Sequence, residues 1–121
     1  MWCVRAPLNR KYSIRSMNPK TGEIWLADLG LAAKTRPVVI VSRDDPSSPR
    51  ALVLYVPLTT QNRRSPYEVE LPTLPFLRET SVANVQGTGA IAVVRLEKKI
   101  GLLPKESLAK IKVALRYAFD L

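Results

Sequence analysis

The chain has 121 residues, room for one domain and not two. Its single cysteine, Cys3, excludes an intramolecular disulfide and any zinc site built on two cysteines, and the absence of histidine excludes Ser-His-Asp and Cys-His catalysis. Hydrophobic residues make up 46% of the sequence and charged residues 24%, enough for an ordinary globular core without a metal or disulfide staple. The formal net charge of +9 points to a polyanionic partner, with nucleic acid the commonest such partner.

The first sixteen residues hold Arg5, Arg10, Lys11 and Arg15 and no acid. They show no apolar periodicity, so they read as a basic extension, disordered or admitted by an early start codon. Met17 then opens a single domain over residues 17–121. The apolar runs are of strand length, too short to span a membrane, and there is no secretory core, which makes the expected location cytoplasmic.

In chain order, residues 23–28 alternate as a short strand, with Ile24 and Leu26 on one face and Trp25 and Ala27 on the other. Residues 29–36 read as a loop, and residues 37–42 as a buried strand whose first residue is Pro37. Residues 43–50 are turn-formers throughout. Residues 51–58 form the next strand, followed by a polar, basic loop over 59–66 with Arg63 and Arg64 at its tip.

Residues 67–71 alternate as a half-exposed strand, and the loop over 72–80 tucks Leu74, Phe76 and Leu77 beneath the body. Residues 81–85 are a strand, and 86–89 a tight turn or a bulge within one bent strand that resumes at Ala90. Residues 98–102 make a last strand. A helix follows, with Pro104 at its first position, Glu106 in its first turn, and Leu108, Ile111, Leu115 and Ala118/Phe119 facing inward. Short strands spaced by turns and closed by one helix describe a mainly β domain, a small antiparallel barrel or sandwich.

Two places carry chemistry. Lys34-Thr35-Arg36-Pro37 puts a guanidinium where a loop enters a buried strand, and Pro57 to Arg64 opens a strand into a loop with two threonines, two amides and two arginines. Arginine stays charged and offers five donors to a phosphate, and a threonine hydroxyl adds another. The plainer roles for these residues are an ion pair of Arg36 with Asp28 or Glu23 and turn hydrogen bonds from Thr59 and Thr60. Tyr67 and Phe76 are aromatic platforms for bases or simply core residues.

Several stretches resemble the MazF/PemK family of type II toxin–antitoxin systems: Gly22-Glu23-Ile24-Trp25, Thr35 to Ser42, Val56-Pro57-Leu58-Thr59-Thr60-Gln61, Glu68 to Leu71, and Lys99-Ile100-Gly101-Leu102-Leu103 before the helix. The resemblance runs from about Met17 to the C-terminus. It implies an SH3-like β-barrel with a C-terminal helix, working as a homodimer. It also implies a sequence-specific, metal-independent endoribonuclease toxin that cleaves single-stranded RNA by attack of the ribose 2′-OH.

By that resemblance Arg36 and Thr59 are the catalytic residues and contact the scissile phosphate. Lys34, Thr35 and Thr60, with Gln61, Asn62, Arg63 and Arg64, are expected to bind RNA, as are Asn84 and Gln86. No metal or other cofactor is expected. The expected partners are single-stranded RNA, a second copy of the chain, and an antitoxin with an acidic C-terminal segment. Other toxins of this fold poison DNA gyrase, as CcdB does, through a C-terminal tryptophan, whereas this chain ends Ala118-Phe119-Asp120-Leu121. A non-catalytic RNA-binding barrel is the other alternative, because the family's acidic position after the fifth strand falls in Asn84-Val85-Gln86-Gly87, which has no carboxylate.

Overall fold

The structure is a computed structural model that describes residues 18–30 and 35–121. Seven strands and one helix follow in order: β1 (Glu23–Asp28), β2 (Thr35–Ile40), β3 (Leu52–Thr59), β4 (Glu68–Glu70), β5 (Val82–Asn84), β6 (Gly89–Ala92), β7 (Leu96–Leu102) and α1 (Lys105–Ala118). All the ladders are antiparallel, in the order β4-β5-β3-β2-β1-β7, with β6 pairing β3 off that path. The expected mainly β architecture with a C-terminal helix is therefore present. The barrel takes the form of a strongly bent sheet that does not close into a ring. No helix among the described residues is long and apolar enough to cross a membrane.

The bend is made at β3, which holds two partners on one edge. Leu52 to Tyr55 pair with β6, and Leu58 and Thr59 pair with β5. Between these ladders β5 leaves through a 3-10 turn, Val85–Gly87, and returns as β6. One bent strand interrupted near Gly87 is thus the arrangement, as expected. Pro57 sits in the gap, where that edge of β3 has no ladder to donate to. Its ring packs on Gly87, where a Cβ would lie 2.9 Å from Pro57 Cγ.

Most strand limits shift by a residue or two from expectation, and two starts shift by two residues. β2 begins at Thr35, not Pro37, so Pro37 is an interior residue paired with Leu26. The β2–β3 ladder opens only at Val38↔Pro57, so at Pro37 one edge of β2 is unpaired and the missing N–H costs no ladder bond. β7 starts at Leu96 and reaches back against Ala27 of β1 through a register shift.

The core has two parts, one on each face of the sheet. Ile24, Val39, Val56, Leu58, Val69, Ala83 and Val85 pack with Ile111 and Ala114 of the helix. Trp25, Ala27, Val38, Ile40, Val53, Val93 and Leu96 fill the other side. Leu74 is buried, and Phe76 and Leu77 pack against the first cluster, as expected of the 72–80 loop. Phe76 lies on Gly101, whose missing side chain makes room for the ring. The helix turns Ser107, Ile111 and Ala114 inward, whereas Phe119 at its end is exposed, which corrects the expected inward position. Lys105, Lys110, Lys112 and Arg116 are all exposed.

Candidate nucleic-acid interface

The strand registers bring the two candidate catalytic residues onto one face. Residues directly opposite in an antiparallel ladder share a face, as do residues two apart along a strand. Thr59 is paired with Val82, and Val82 with Glu70. Continuing the Val38↔Pro57 register two residues past the end of its ladder sets Arg36 opposite Thr59. One pair further along β5, Asn84 stands opposite Glu68 on the same face. The opposite face of these strands carries Leu58, Ala83 and Val69, which are core. The row Arg36–Thr59–Val82–Glu70, with Asn84–Glu68 beside it, therefore shares the face of Ala27 and Val38 of the second core; Val82 is buried within the row, Thr59, Asn84 and Glu68 are half-buried, and Arg36 and Glu70 are exposed at its ends.

A cavity of about 530 Å³ opens on this surface, lined by Thr59, Gln61, Arg63, Ser65, Tyr67, Glu68, Asn84 and Gln86. Five of the residues singled out from the sequence line it: Thr59, Gln61, Arg63, Asn84 and Gln86. Arg36 is exposed one strand away and does not line the cavity, and neither do Thr60, Asn62 and Arg64. Thr35 is turned to the other face of β2, where its hydroxyl donates to the Glu97 carboxylate on β7, 3.2 and 3.3 Å from its two oxygens. Lys34, the loop residues Leu31 and Ala32, and the basic extension over 1–16 lie outside the described residues.

The loop from Thr60 to Tyr67 is held by side chains more than by backbone. Thr59 Oγ1 accepts from the Gln61 amide at 3.2 Å, so the turn role expected of this threonine is real. That bond occupies a lone pair and leaves the hydroxyl proton to donate outward. Asn62 donates through Nδ2 to Glu70, and its Oδ1 accepts from the Arg64 amide at 2.7 Å. Asn62 is thereby a builder of the loop, and Arg64 takes a positive φ of 56° at its tip.

Glu68 is the residue that sequence reading missed. One carboxylate oxygen accepts from the Ser65 amide at 3.0 Å and the Ser65 hydroxyl at 2.8 Å, and the other accepts from the Arg63 amide at 3.1 Å. The Ser65 amide, then the Arg63 amide, hold its carboxyl below the usual glutamate range, against a smaller opposing effect of desolvation. The only sequence signal was a carboxylate on the alternating stretch after the loop; its place beside Asn84 depends on a pairing between distant segments.

Two other carboxylates are structural. Glu23 is buried; burial works to raise its pKa, but the Lys20 amide, the Trp25 indole and the Lys99 ammonium together hold it below the ordinary value. Asp28 accepts from the Gly30 amide at 2.9 Å and lies 3.8 Å from Arg95. Of the two aromatics, Tyr67 lines the cavity and meets Tyr117 edge-to-face at 5.4 Å, whereas Phe76 is spent on the core. Among the described residues, no group of three His, Cys, Asp or Glu is gathered to hold a metal ion.

A small, bent antiparallel sheet with a polar groove on one face and a C-terminal helix packed against the other is the framework of a known class of toxins. Residues 20–119 match the PemK-like, MazF-like toxin of type II toxin–antitoxin systems, and the chain belongs to that family. It is 33% identical over 105 residues to the "Probable endoribonuclease MazF5" of Mycobacterium tuberculosis, covering 84% of this chain and 94% of that protein. The M. tuberculosis toxin MazF-mt6 superposes with a TM-score of 0.72 at 31% identity, covering 82% of this chain and 97% of its own. An endoribonuclease solved in complex with its cognate antitoxin, from mycobacterial species, gives a TM-score of 0.75 at 28% identity, covering 85% of this chain and 96% of its own.

Proposed function

We propose that the chain is an endoribonuclease toxin whose cleavage site is the Arg36–Thr59 row of the sheet. The observation that carries this is the shared face of these two residues beside a polar cavity, in a chain of this family and 33% identical to a probable endoribonuclease.

The chemistry suits a site without histidine. The 2′-OH of one nucleotide attacks the adjacent phosphorus, the bond to the 5′-oxygen of the next nucleotide breaks, and that oxygen leaves with a proton as a 5′-hydroxyl. A 2′,3′-cyclic phosphate remains. The reaction needs in-line geometry and donors for the charge that builds on the phosphoryl oxygens, and no protein nucleophile. Arg36 and the outward hydroxyl proton of Thr59 supply those donors. DNA lacks the attacking group and is not cut. Metal ions have no required part in this route.

The partners follow the family. An antitoxin with an acidic segment meets Arg36, Arg63 and Arg64 and so blocks the groove. A second copy of the chain completes a homodimer. The buried strand β2 is spent on the chain's own core, because it lies between β1 and β3. Among the described residues, Leu52 and Leu54 of β3, with Val94 in the turn before β7, are exposed apolar side chains at one edge of the sheet, and these are the surface offered to the second copy.

The test is cleavage of single-stranded RNA in EDTA by the wild-type chain and by Arg36→Ala and Thr59→Ala. Each substitution removes one transition-state donor, for an expected loss of about a hundred- to a thousandfold. Both variants should keep the wild-type melting behaviour, since Arg36 is exposed and Thr59 lies at the end of its strand. Full activity in Arg36→Ala, or cleavage abolished by EDTA, overturns the assignment.

A further inference from the structure

Asn84 is half-buried, ends β5 and lines the groove. Its Oδ1 accepts from the Gln86 backbone amide at 3.1 Å. A backbone N–H can only donate, so this bond fixes which end of the side chain is oxygen. The Nδ2 group is the end left over, and it has no hydrogen-bond partner among the described residues. It sits beside Gly87, which has no side chain to cover it and whose ideal Cβ position is 3.5 Å away.

The neighbouring groups are fixed in the same sense. Thr59 accepts from Gln61 and keeps its proton to donate. Glu68, directly across from Asn84, has both oxygens engaged by the Ser65 and Arg63 amides and the Ser65 hydroxyl. Thr59 and Asn84 are thus oriented donors that suit an acceptor edge, and Glu68 has three of its roughly four lone-pair sites already engaged within the loop. Asn84 lies two residues along β5 from the partner of Thr59, about 7 Å at strand rise. That is the reach from a phosphate held at Thr59, across its ribose, to the attached base.

We propose that Asn84 is a specificity-determining residue whose Nδ2 donates to a carbonyl oxygen of the RNA base next to the scissile phosphate. This rests on the nuclease reading above. Uracil, cytosine and guanine carry such a carbonyl and adenine does not, so adenine is the base disfavoured at that position. Neutral amides reading base edges on an unstacked strand are the usual means of single-strand recognition, whereas the phosphate is met by the guanidinium of Arg36.

The experiment cleaves a randomised single-stranded RNA pool with the full chain and sequences the new ends, for the wild type, Asn84→Ser and Asn84→Asp. Serine and aspartate both cap a backbone amide as asparagine does, so the turn is kept. Serine caps the turn with a hydroxyl that stops one bond short of the Nδ2 position and so draws the donor back from the base, and aspartate replaces the donor with an acceptor. The wild type should show adenine depleted at one position beside the cut. Asn84→Ser should lose roughly 3–10-fold in cleavage at carbonyl-bearing bases, the worth of one hydrogen bond, and with it the depletion of adenine. Asn84→Asp should shift the preference toward the bases with an exocyclic amino group, adenine, cytosine and guanine, and away from uracil. An unchanged base profile in Asn84→Ser overturns this inference alone, as does uniform slowing at every sequence, the mark of a phosphate contact. No cleavage by the wild type overturns the nuclease reading and this inference with it.

Discussion

At the scale of single residues, the groove depends on a carboxylate that touches no reacting atom. Glu68 gathers three donors from a loop that has few backbone bonds of its own. Glu68→Ala should free the Arg63 and Ser65 amides, so their hydrogen exchange should quicken while the amides of β2 and β3 stay protected. RNA cleavage should fall several-fold, because Arg63 and Ser65, which line the groove, lose their placement. Acid should act the same way. The Glu68 carboxyl is held below its unfolded value, so its contribution is full above the ordinary glutamate pKa and is lost as pH falls through the lowered one. Loop exchange that ignores pH down to full protonation of the carboxylates would contradict this. In sequence, the arginine and threonine of the site were legible from their chemistry, each being a phosphate donor at a strand end. Glu68 was not, because nothing local says that β4 will lie against β5 with Glu68 opposite Asn84. The placement of Thr35 was not legible either, for a related reason: strand alternation puts it on the face opposite Arg36, and Glu97 takes its hydroxyl.

At the scale of elements, the site is shaped by the break between β5 and β6. That break puts Asn84 and Gln86 at the groove, and it exists because Pro57 and Gly87 fit together where β3 lacks a ladder partner. Gly87→Ala should press a methyl group into the Pro57 ring and destabilise the fold by about 1–3 kcal/mol, the usual cost of overpacking. Pro57→Ala removes the ring, so the double variant should recover part of that loss. A urea-denaturation cycle over the four proteins reads the coupling, and strictly additive effects would show that the contact does not set the turn. The strands and the helix were legible in sequence because apolar alternation and helical spacing are local. Their limits were less so. Pro37 reads as a strand start, yet β1 pairs with the two residues before it, and only the third dimension shows that the edge it spoils has no partner. The end of the helix slipped likewise: Ala114 takes the inward place and leaves Phe119 at the surface.

At the scale of the whole molecule, charge and core separate. Residues 17–121 hold fifteen bases against ten acids, and the first sixteen residues add four bases with no acid. Among the described residues, the apolar clusters on the two faces of the sheet are built from Ile24 onward, and no buried side-chain nitrogen or oxygen lacks a hydrogen-bond partner. A chain beginning at Met17 should therefore fold with the same urea midpoint as residues 1–121. Its RNA affinity should differ mainly at low salt. Each phosphate that a cation neutralises adds about 0.7 to the slope of log affinity against log salt for single strands, so losing four cations should flatten that slope by at most about four such increments. The cleavage pattern should not move, because a basic tail reads phosphates and the bases are left to the groove. Measuring the salt slope and the product map on the same two proteins separates these effects. A lower urea midpoint in the shorter chain would make residues 1–16 part of the folded domain, with Tyr12-Ser13-Ile14 as an added edge strand, and would move the domain boundary from Met17 to the N-terminus.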